Sequence, residues 1–141
     1  MEILKVLYRA RFCRYKGILY LFPSRTDVTE FSKGRVDPLI EDNETVKAWI
    51  RNTDAANVKQ VWNCILYLRG MKSKLGLKSV PVDMVVVDEG DEAEQNAIDV
   101  AKERMSHSLH KEILKLSNPT LPDYGIDRFF KETDQRYWLL K

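Results

Sequence analysis

Several features are absent from this 141-residue sequence, and each absence excludes a class of protein. Cysteine occurs only at Cys13 and Cys64, far apart and in no C-x-x-C pair, so we expect reduced thiols and no metal site built on cysteine. No apolar run approaches the roughly 18 residues of a membrane span. Charges interrupt the first residues, unlike the apolar core of a signal peptide. These observations predict a cytosolic protein without a membrane partner.

Glycine is scarce, and neither sign of charge is in large excess. The six glycines form no G-x-x-x-x-G-K-[ST] motif, the loop whose backbone amides hold nucleotide phosphates. The 23 basic and 21 acidic side chains nearly balance, but the bases cluster in 8–16 and 69–78 and the acids in 88–99. Clustered Lys and Arg can neutralise DNA phosphates, and solvated surface charge is the alternative for each. The candidate DNA contacts are Arg9, Arg11, Arg14, Lys72, Lys74 and Lys78.

The hydrophobic pattern alternates between helices and buried strands. Helical spacing is found in 2–14, in a stretch from Ser24 or Asp27 toward Ile40, and in 44–50, 91–106 and 125–133. Short apolar runs predict strands at 17–22, 57–62, 64–70, 82–87, 111–117 and 136–141. This order predicts an α/β fold whose sheet is mostly parallel and flanked by helices.

The strand predicted at 82–87 runs directly into four acids. In open α/β sheets ligands bind at the carboxyl ends of strands, and an apolar strand that ends in Asp-Glu is the Walker B pattern. Asp88 could supply an oxygen ligand to Mg²⁺, and Glu89 could accept a proton from an attacking water as general base. Asp91 and Glu92 fit the first turn of the following helix, where acids favour the positive end of the helix dipole.

The SNPT segment, 117–120, follows the next predicted strand. A Ser or Thr hydroxyl there could bond a phosphate oxygen or the attacking water, although Ser, Asn and Pro also favour a plain turn. Arg35, Arg69 and Arg136 are candidate phosphate-sensing arginines, and the sequence does not choose among them.

Three segments together resemble one family, the large subunit of tailed-phage terminases of the lambda type, the ATPase that packages DNA. Residues 18–43 carry an FP-x-R strand end and an R-V-x-P-L-I helix. Residues 82–94, VDMVVVDEGDEAE, resemble the Walker B segment of the family. Residues 116–141 resemble its coupling motif, in which an S-[TN]-P-T turn is followed by YGID and DQRYW.

The resemblance implies an incomplete P-loop NTPase core of the additional-strand (ASCE) type that uses Mg²⁺ and ATP. It assigns Asp88 to the metal and Glu89 to catalysis. It assigns Ser117, Asn118 and Thr120 to the segment that links phosphate state to DNA movement. The implied partners are double-stranded DNA, the small terminase subunit, the portal and further copies of the chain, in the cytoplasm of the bacterial host.

The sequence departs from that family by lacking Walker A and a nuclease domain. We therefore expect residues 1–141 to form a single partial ATPase domain, the half with Walker B and the coupling motif, which is inactive by itself. A missing P-loop strand would leave a sheet edge exposed, which favours self-association. Two alternatives stay open: a DExD-type helicase-like ATPase, or a catalytically dead prophage remnant that at most binds DNA or itself.

Overall fold

The computed structural model describes residues 2–51, 55–72, 80–92 and 95–136. The helices described are α1 (Glu2–Phe12), α2 (Arg25–Phe31), α3 (Asp37–Glu41), α4 (Glu44–Trp49), α5 (Gln95–Glu103) and α6 (Gly125–Lys131). The strands described are β1 (Gly17–Phe22), β2 (Ile50–Arg51), β3 (Val58–Val61), β4 (Cys64–Gly70), β5 (Met84–Val87) and β6 (Glu112–Lys115). A π-helical turn, Ser32–Val36, joins α2 to α3.

The strands form one sheet in the order β2-β3-β4-β1-β5-β6. β1 pairs in parallel with β4 and β5, and β5 pairs in parallel with β6. The hairpin strands β3 and β4 are antiparallel, and so are β2 and β3. The sheet confirms the predicted α/β fold with mostly parallel strands, and it brings the carboxyl ends of β1, β5 and β6 to one edge.

The core has two layers, one on each face of the sheet. Every residue of β1 and β5 is buried, which explains why both strands are continuous apolar runs rather than alternating ones. Successive side chains point to opposite faces. Ile18, Tyr20 and Phe22 therefore join the layer that contains Val6 and Leu7 of α1. The opposite layer contains Leu19, Leu21, Val85, Val87, Ala97, Ile98 and Ala101.

The predicted helix over 91–106 is wrong at its start, because α5 begins at Gln95. Asp91 is drawn instead toward the segment after β6, since its N–H donates to Ser117 Oγ at 3.1 Å. The N–H of Gly90 likewise donates to the carbonyl of Leu116 at 3.1 Å. Asp91 and Glu92 consequently lie in a turn ahead of the helix and are not first-turn acids.

The stretch after β1 is helical throughout, despite its Gly34 and Pro38. Gly34 lies in the π-helical turn, and Pro38 lies in the first turn of α3, where its missing N–H is not needed. Ile50 was predicted at the end of a helix, but its backbone is extended and pairs with Val61. The strand predicted at 136–141 falls almost wholly on 137–141, outside the described residues. The other predicted elements are confirmed to within a few residues at each end.

Candidate functional site

Asp88 and Glu89 follow β5 at the shared carboxyl edge. The N–H of Asp88 donates to the carbonyl of Leu21 in β1 at 2.9 Å, and the N–H of Leu116 donates to the carbonyl of Val87 at 2.8 Å. Ser117 follows β6, the strand next to β5. Asp88 and Ser117 therefore follow neighbouring strands at the same edge of the sheet.

A cleft of about 460 Å³ opens beside this edge, between the end of β5 and the helical stretch after β1. Its charged lining is mostly acidic, and Arg35 is the one cation among the described residues that line it. The carboxylates that line it belong to Asp27, Glu30, Asp88, Glu89 and Glu92. Asp27 is already engaged in the capping box of α2, where it accepts from the N–H of Ser24 at 2.8 Å.

Tyr20 orients the Asp88 side chain through a hydrogen bond. Its hydroxyl donates to Asp88 Oδ2 at 3.1 Å, and its buried ring stacks on Phe22 with centroids 4.7 Å apart. Burial is the main cause that raises the pKa of Tyr20, and the neighbouring charge of Asp88 raises it further. The tyrosine thus stays protonated and keeps donating, which fixes one oxygen of Asp88, and no described residue bonds to the other.

The backbone at Glu89 is unusual. Its φ is +49°, in the left-handed region that non-glycine residues seldom occupy. Such conformations persist where the surroundings hold them, and they cluster at functional sites. Here the carbonyl of Glu89 accepts from the N–H of Glu92 at 3.0 Å, which closes the tight turn.

Asp91 connects the turn after β5 to the turn after β6. Its Oδ2 accepts from both the N–H and the hydroxyl of Thr120, each at 2.9 Å. Its Oδ1 accepts from the N–H of Ile126 at 2.7 Å, and Ser117 Oγ accepts from its N–H. Only 8 % of Asp91 is exposed, which is unusual for an acid.

The pKa of Asp91 reflects those bonds. Burial acts to raise it, but hydrogen bonds from Ile126 and Thr120, together with the nearby Ser117 hydroxyl, outweigh burial and lower the pKa below its usual value. A buried carboxylate with several donors stays ionised for this reason. Asp91 is thus a charged link between two turns.

Two residues of the segment predicted to couple phosphate state to movement, Ser117 and Thr120, bond to Asp91. The hydroxyls of Ser117 and Thr120 are engaged with Asp91, and Asn118 is exposed. Ser117, Asn118 and Thr120 are not among the described residues that line the cleft of Asp88 and Glu89. The Thr120 hydroxyl could donate to a ligand there only if its bond to Asp91 opened, whereas the Ser117 hydroxyl accepts from Asp91 and keeps its own hydrogen.

The three candidate arginines occupy different places. Arg35 lines the cleft with Asp88 and Glu89, whereas Arg69 lines a separate cleft at the end of β4. Arg136 is exposed and pairs with Asp134 at 2.7 Å. Position therefore favours Arg35 as the arginine nearest the candidate reaction site.

The candidate DNA contacts also differ from one another. Lys72 lines a cleft of about 420 Å³ together with Arg25 and Arg69, and Lys74 and Lys78 lie outside the described residues. Arg9 pairs with Glu112 at 3.2 Å. Arg11 lies over the rings of Phe12 and Trp62, and Arg14 lines a cleft with Lys16.

The donors fit a magnesium ion of the kind that nucleotides carry. Among the described residues, no group of three or more His, Cys, Asp or Glu side chains could hold a metal ion by itself. Mg²⁺ usually keeps several waters and takes one or two carboxylates together with substrate phosphates. Asp88 with Glu89 beside it matches that sparse set of protein ligands.

The comparisons with known proteins agree with this architecture. Solved large terminases share the fold at low sequence identity. That of bacteriophage HK97 superposes with a TM-score of 0.73 at 13 % identity, covering 93 % of this chain and 30 % of that one. The terminase ATPase domain of Thermus phage P74-26 gives 0.56 at 16 % identity, over 83 % of this chain and 53 % of that one. The large terminase of a thermophilic bacteriophage, solved with ADP, gives 0.56 at 12 % identity, over 83 % and 29 %.

The fold is thus that of P-loop NTPases. A sequence model of the family described as "Phage terminase large subunit gpA, ATPase domain" matches residues 9–141, and the chain belongs to that family. The chain spans about 30 % of the length of the HK97 terminase. A search of curated proteins found no match. No helix in the described part of the chain is long and apolar enough to cross a membrane.

Sequence reasoning missed two members of the site. Tyr20 lies in an apolar strand, and nothing local indicates that its hydroxyl reaches Asp88. Asp91 was assigned to a helix terminus because its partners are 26 to 35 residues away in the sequence. One signal was present, since a third and a fourth acid after Asp88 and Glu89 exceed what magnesium and water require.

Proposed function

We propose that this chain contributes the hydrolytic half of an ATP-driven DNA-packaging motor. The observation that carries the proposal is the position of Asp88 and Glu89, which end a buried parallel strand, lie next to the Ser117 strand and line one cleft with Arg35. Membership in the terminase ATPase family supports it. Membership in that family implies that the chain binds nucleotide. We further propose that it takes part in magnesium-dependent ATP hydrolysis that is coupled to DNA translocation.

Each residue of the cleft has a role in this scheme. Asp88, oriented by Tyr20, would hold Mg²⁺ through its second oxygen, and the metal would neutralise charge on the phosphates. Glu89 would accept a proton from the attacking water. Arg35 would stabilise charge on the transferred phosphoryl group, in the way that a guanidinium does at such sites.

We also propose which parts of an ATPase domain this chain supplies. Residues 1–141 would form one partial ATPase domain that carries Walker B and the coupling segment of Ser117, Asn118 and Thr120. Arg35 is the one cation among the described residues of the acidic cleft, so these residues alone would supply few contacts to a phosphate group. We expect weak binding of ATP to this chain alone.

Calorimetric titration with magnesium-ATP tests the site. The protein is the full-length product of the gene. Asp88→Asn should weaken the magnesium-dependent affinity at least tenfold, because one carboxylate ligand is lost. Glu30→Gln, an acid on the opposite wall of the cleft, is the matched control and should change affinity little. Equal affinities for wild type and Asp88→Asn would contradict the assignment.

Contact with double-stranded DNA is proposed at the cleft of Arg25, Arg69 and Lys72. No carboxylate is found among the described residues that line this cleft, and Lys74 and Lys78 follow it directly in sequence. Three cations without an acid attract the phosphodiester backbone regardless of base sequence. The terminase small subunit, the portal and further copies of the chain are the other proposed partners, in the cytoplasm of the bacterial host.

The salt dependence of duplex binding tests this contact. If Lys72 neutralises one phosphate, Lys72→Gln should reduce the slope of log affinity against log salt by about 0.9. Lys102→Gln is the control, because Lys102 lies on α5 and pairs with Asp99 at 3.4 Å. An equal effect of both substitutions would indicate general electrostatics and would remove the proposed cleft.

A further inference from the structure

The first turn of α6 is capped by a residue from a different segment, the turn after β5. The N-cap residue Tyr124 makes no side-chain cap, and the Ile126 N–H in the first turn donates instead to Asp91 Oδ1 at 2.7 Å. A helix normally satisfies its first N–H groups with a nearby Ser, Thr, Asp or Asn. Here that acceptor comes from the turn after β5.

The backbone conformation of Gly125, and its lack of a side chain, make this contact possible. Its φ is +52°, and a Cβ placed on it would overlap the carboxylate of Asp91. Any side chain at Gly125 would therefore displace Asp91 or the start of α6. The close approach exists because the residue is glycine.

The same acid is close in the chain to Glu89. Gly90 is bonded to Leu116, Asp91 is bonded to Ser117 and Thr120, and both follow the left-handed Glu89 directly. The turn that carries Glu89 is thus fastened to the segment after β6 at successive residues. It cannot change its conformation while these bonds hold the segment after β6 in place.

We propose that Asp91 is a positioning residue that fastens the Glu89 turn to the Ser117–Thr120 turn and to α6, so that a movement at one is passed to the others. As a statement about the reaction, it rests on the proposed function. If a ligand displaced Glu89, the first turn of α6 would move as well, because the Asp91 carboxylate bonds to it. In the reverse direction, a displacement of α6 would move Glu89, the proposed general base.

Amide hydrogen exchange tests the fastening without any ligand. In Asp91→Asn, one acceptor oxygen becomes an NH₂ group that faces N–H donors, so exchange at Thr120 and Ile126 should rise at least tenfold. Exchange at Gly90, whose own bond to Leu116 is not altered chemically, should rise as well. Asp99→Asn, an exposed acid on α5, should change none of these sites. Unchanged exchange at Gly90 would overturn the proposal.

Two further measurements separate positioning from simple stabilisation. With the full-length product of the gene, Asp91→Asn should lower kcat for ATP at least tenfold while KM stays within twofold, because Asp88 and the cleft are intact. A loss confined to KM, or no loss in either constant, would overturn the positioning role.

If Asp91→Asn does not fold, Thr120→Val removes one donor and should raise exchange at Gly90 by a smaller factor. An inactive wild type would contradict the proposed function, and the fastening would then be judged by exchange alone.

Discussion

At the scale of single residues, two side chains fix the geometry of the candidate site. Tyr20 donates to one oxygen of Asp88, and Asp91 accepts three hydrogen bonds from residues beyond β6. Both contacts satisfy polar groups in largely buried surroundings, where an unpaired group would be costly. Precision at Asp88 and Glu89 thus comes from residues that would not themselves touch a nucleotide.

The depressed pKa of Asp91 predicts a pH-dependent contribution to stability. Hydrogen bonds favour the ionised form in the folded state, so the contribution is complete above the unfolded-state pKa of about 3.9. It is lost as the pH falls through the lower folded-state pKa. At pH 7, Asp91→Asn should cost about 1–3 kcal/mol of unfolding free energy.

Urea unfolding of both proteins at pH 7 and at about pH 3 is the check. The difference between wild type and Asp91→Asn should shrink at the lower pH, because the unfolded chain binds a proton at Asp91 more readily there than the folded chain does. Asp99→Asn should cost little at either pH, because Asp99 belongs to an exposed ion pair. A difference that is constant with pH would show that the charge of Asp91 is not what stabilises the link.

At the scale of elements, glycine positions determine where α6 can begin. Gly125 has a positive φ and no room for a Cβ, whereas a Cβ on Gly34, in the π-helical turn, would meet nothing within 4 Å. Gly125→Ala should therefore destabilise the protein by more than about 1 kcal/mol. Gly34→Ala should be neutral or stabilising by up to about 1 kcal/mol, because alanine loses less entropy in a helix.

Thermal or urea unfolding of these two alanine variants distinguishes them directly. Both substitutions add one methyl group to a glycine near the same site, so composition and size are matched. Equal stabilities would contradict the close packing of Gly125 against Asp91.

The sequence predicts some elements better than others for a physical reason. Strands β1 and β5 are buried on both faces, so their apolar runs are unambiguous, and Asp88 and Glu89 follow from where β5 ends. The start of α5 could not be predicted, because Asp91 is held by tertiary bonds that no local pattern records. Strand β2 was missed because two residues are too few to show an alternation.

At the scale of the whole molecule, β6 is an edge of the sheet formed by the described residues. Glu112 and Leu116 donate N–H groups toward β5, so the N–H of Lys115, which lies between such donors, points away from the sheet. An open edge can pair with another chain. We predict concentration-dependent dimerisation of this 141-residue chain through β6.

Sedimentation over a range of concentrations measures that association. Lys115→Pro removes an outward N–H but leaves the bonds to β5, so it should shift the chain toward monomer. A monomer at every concentration, with cooperative melting, would contradict edge pairing. A dimer that Lys115→Pro leaves intact would place the interface elsewhere.

We propose above all that the Glu89 carboxylate accepts the proton of the attacking water in ATP hydrolysis. The most direct measurement is single-turnover hydrolysis of magnesium-ATP by the full-length product of the gene and by two variants, Glu89→Gln and Glu92→Gln. Both acids line the same cleft, and each substitution removes one charge without changing shape. The account predicts that Glu89→Gln slows hydrolysis by about 10²–10⁴-fold and that Glu92→Gln has little effect. Hydrolysis by Glu89→Gln at the wild-type rate would contradict it.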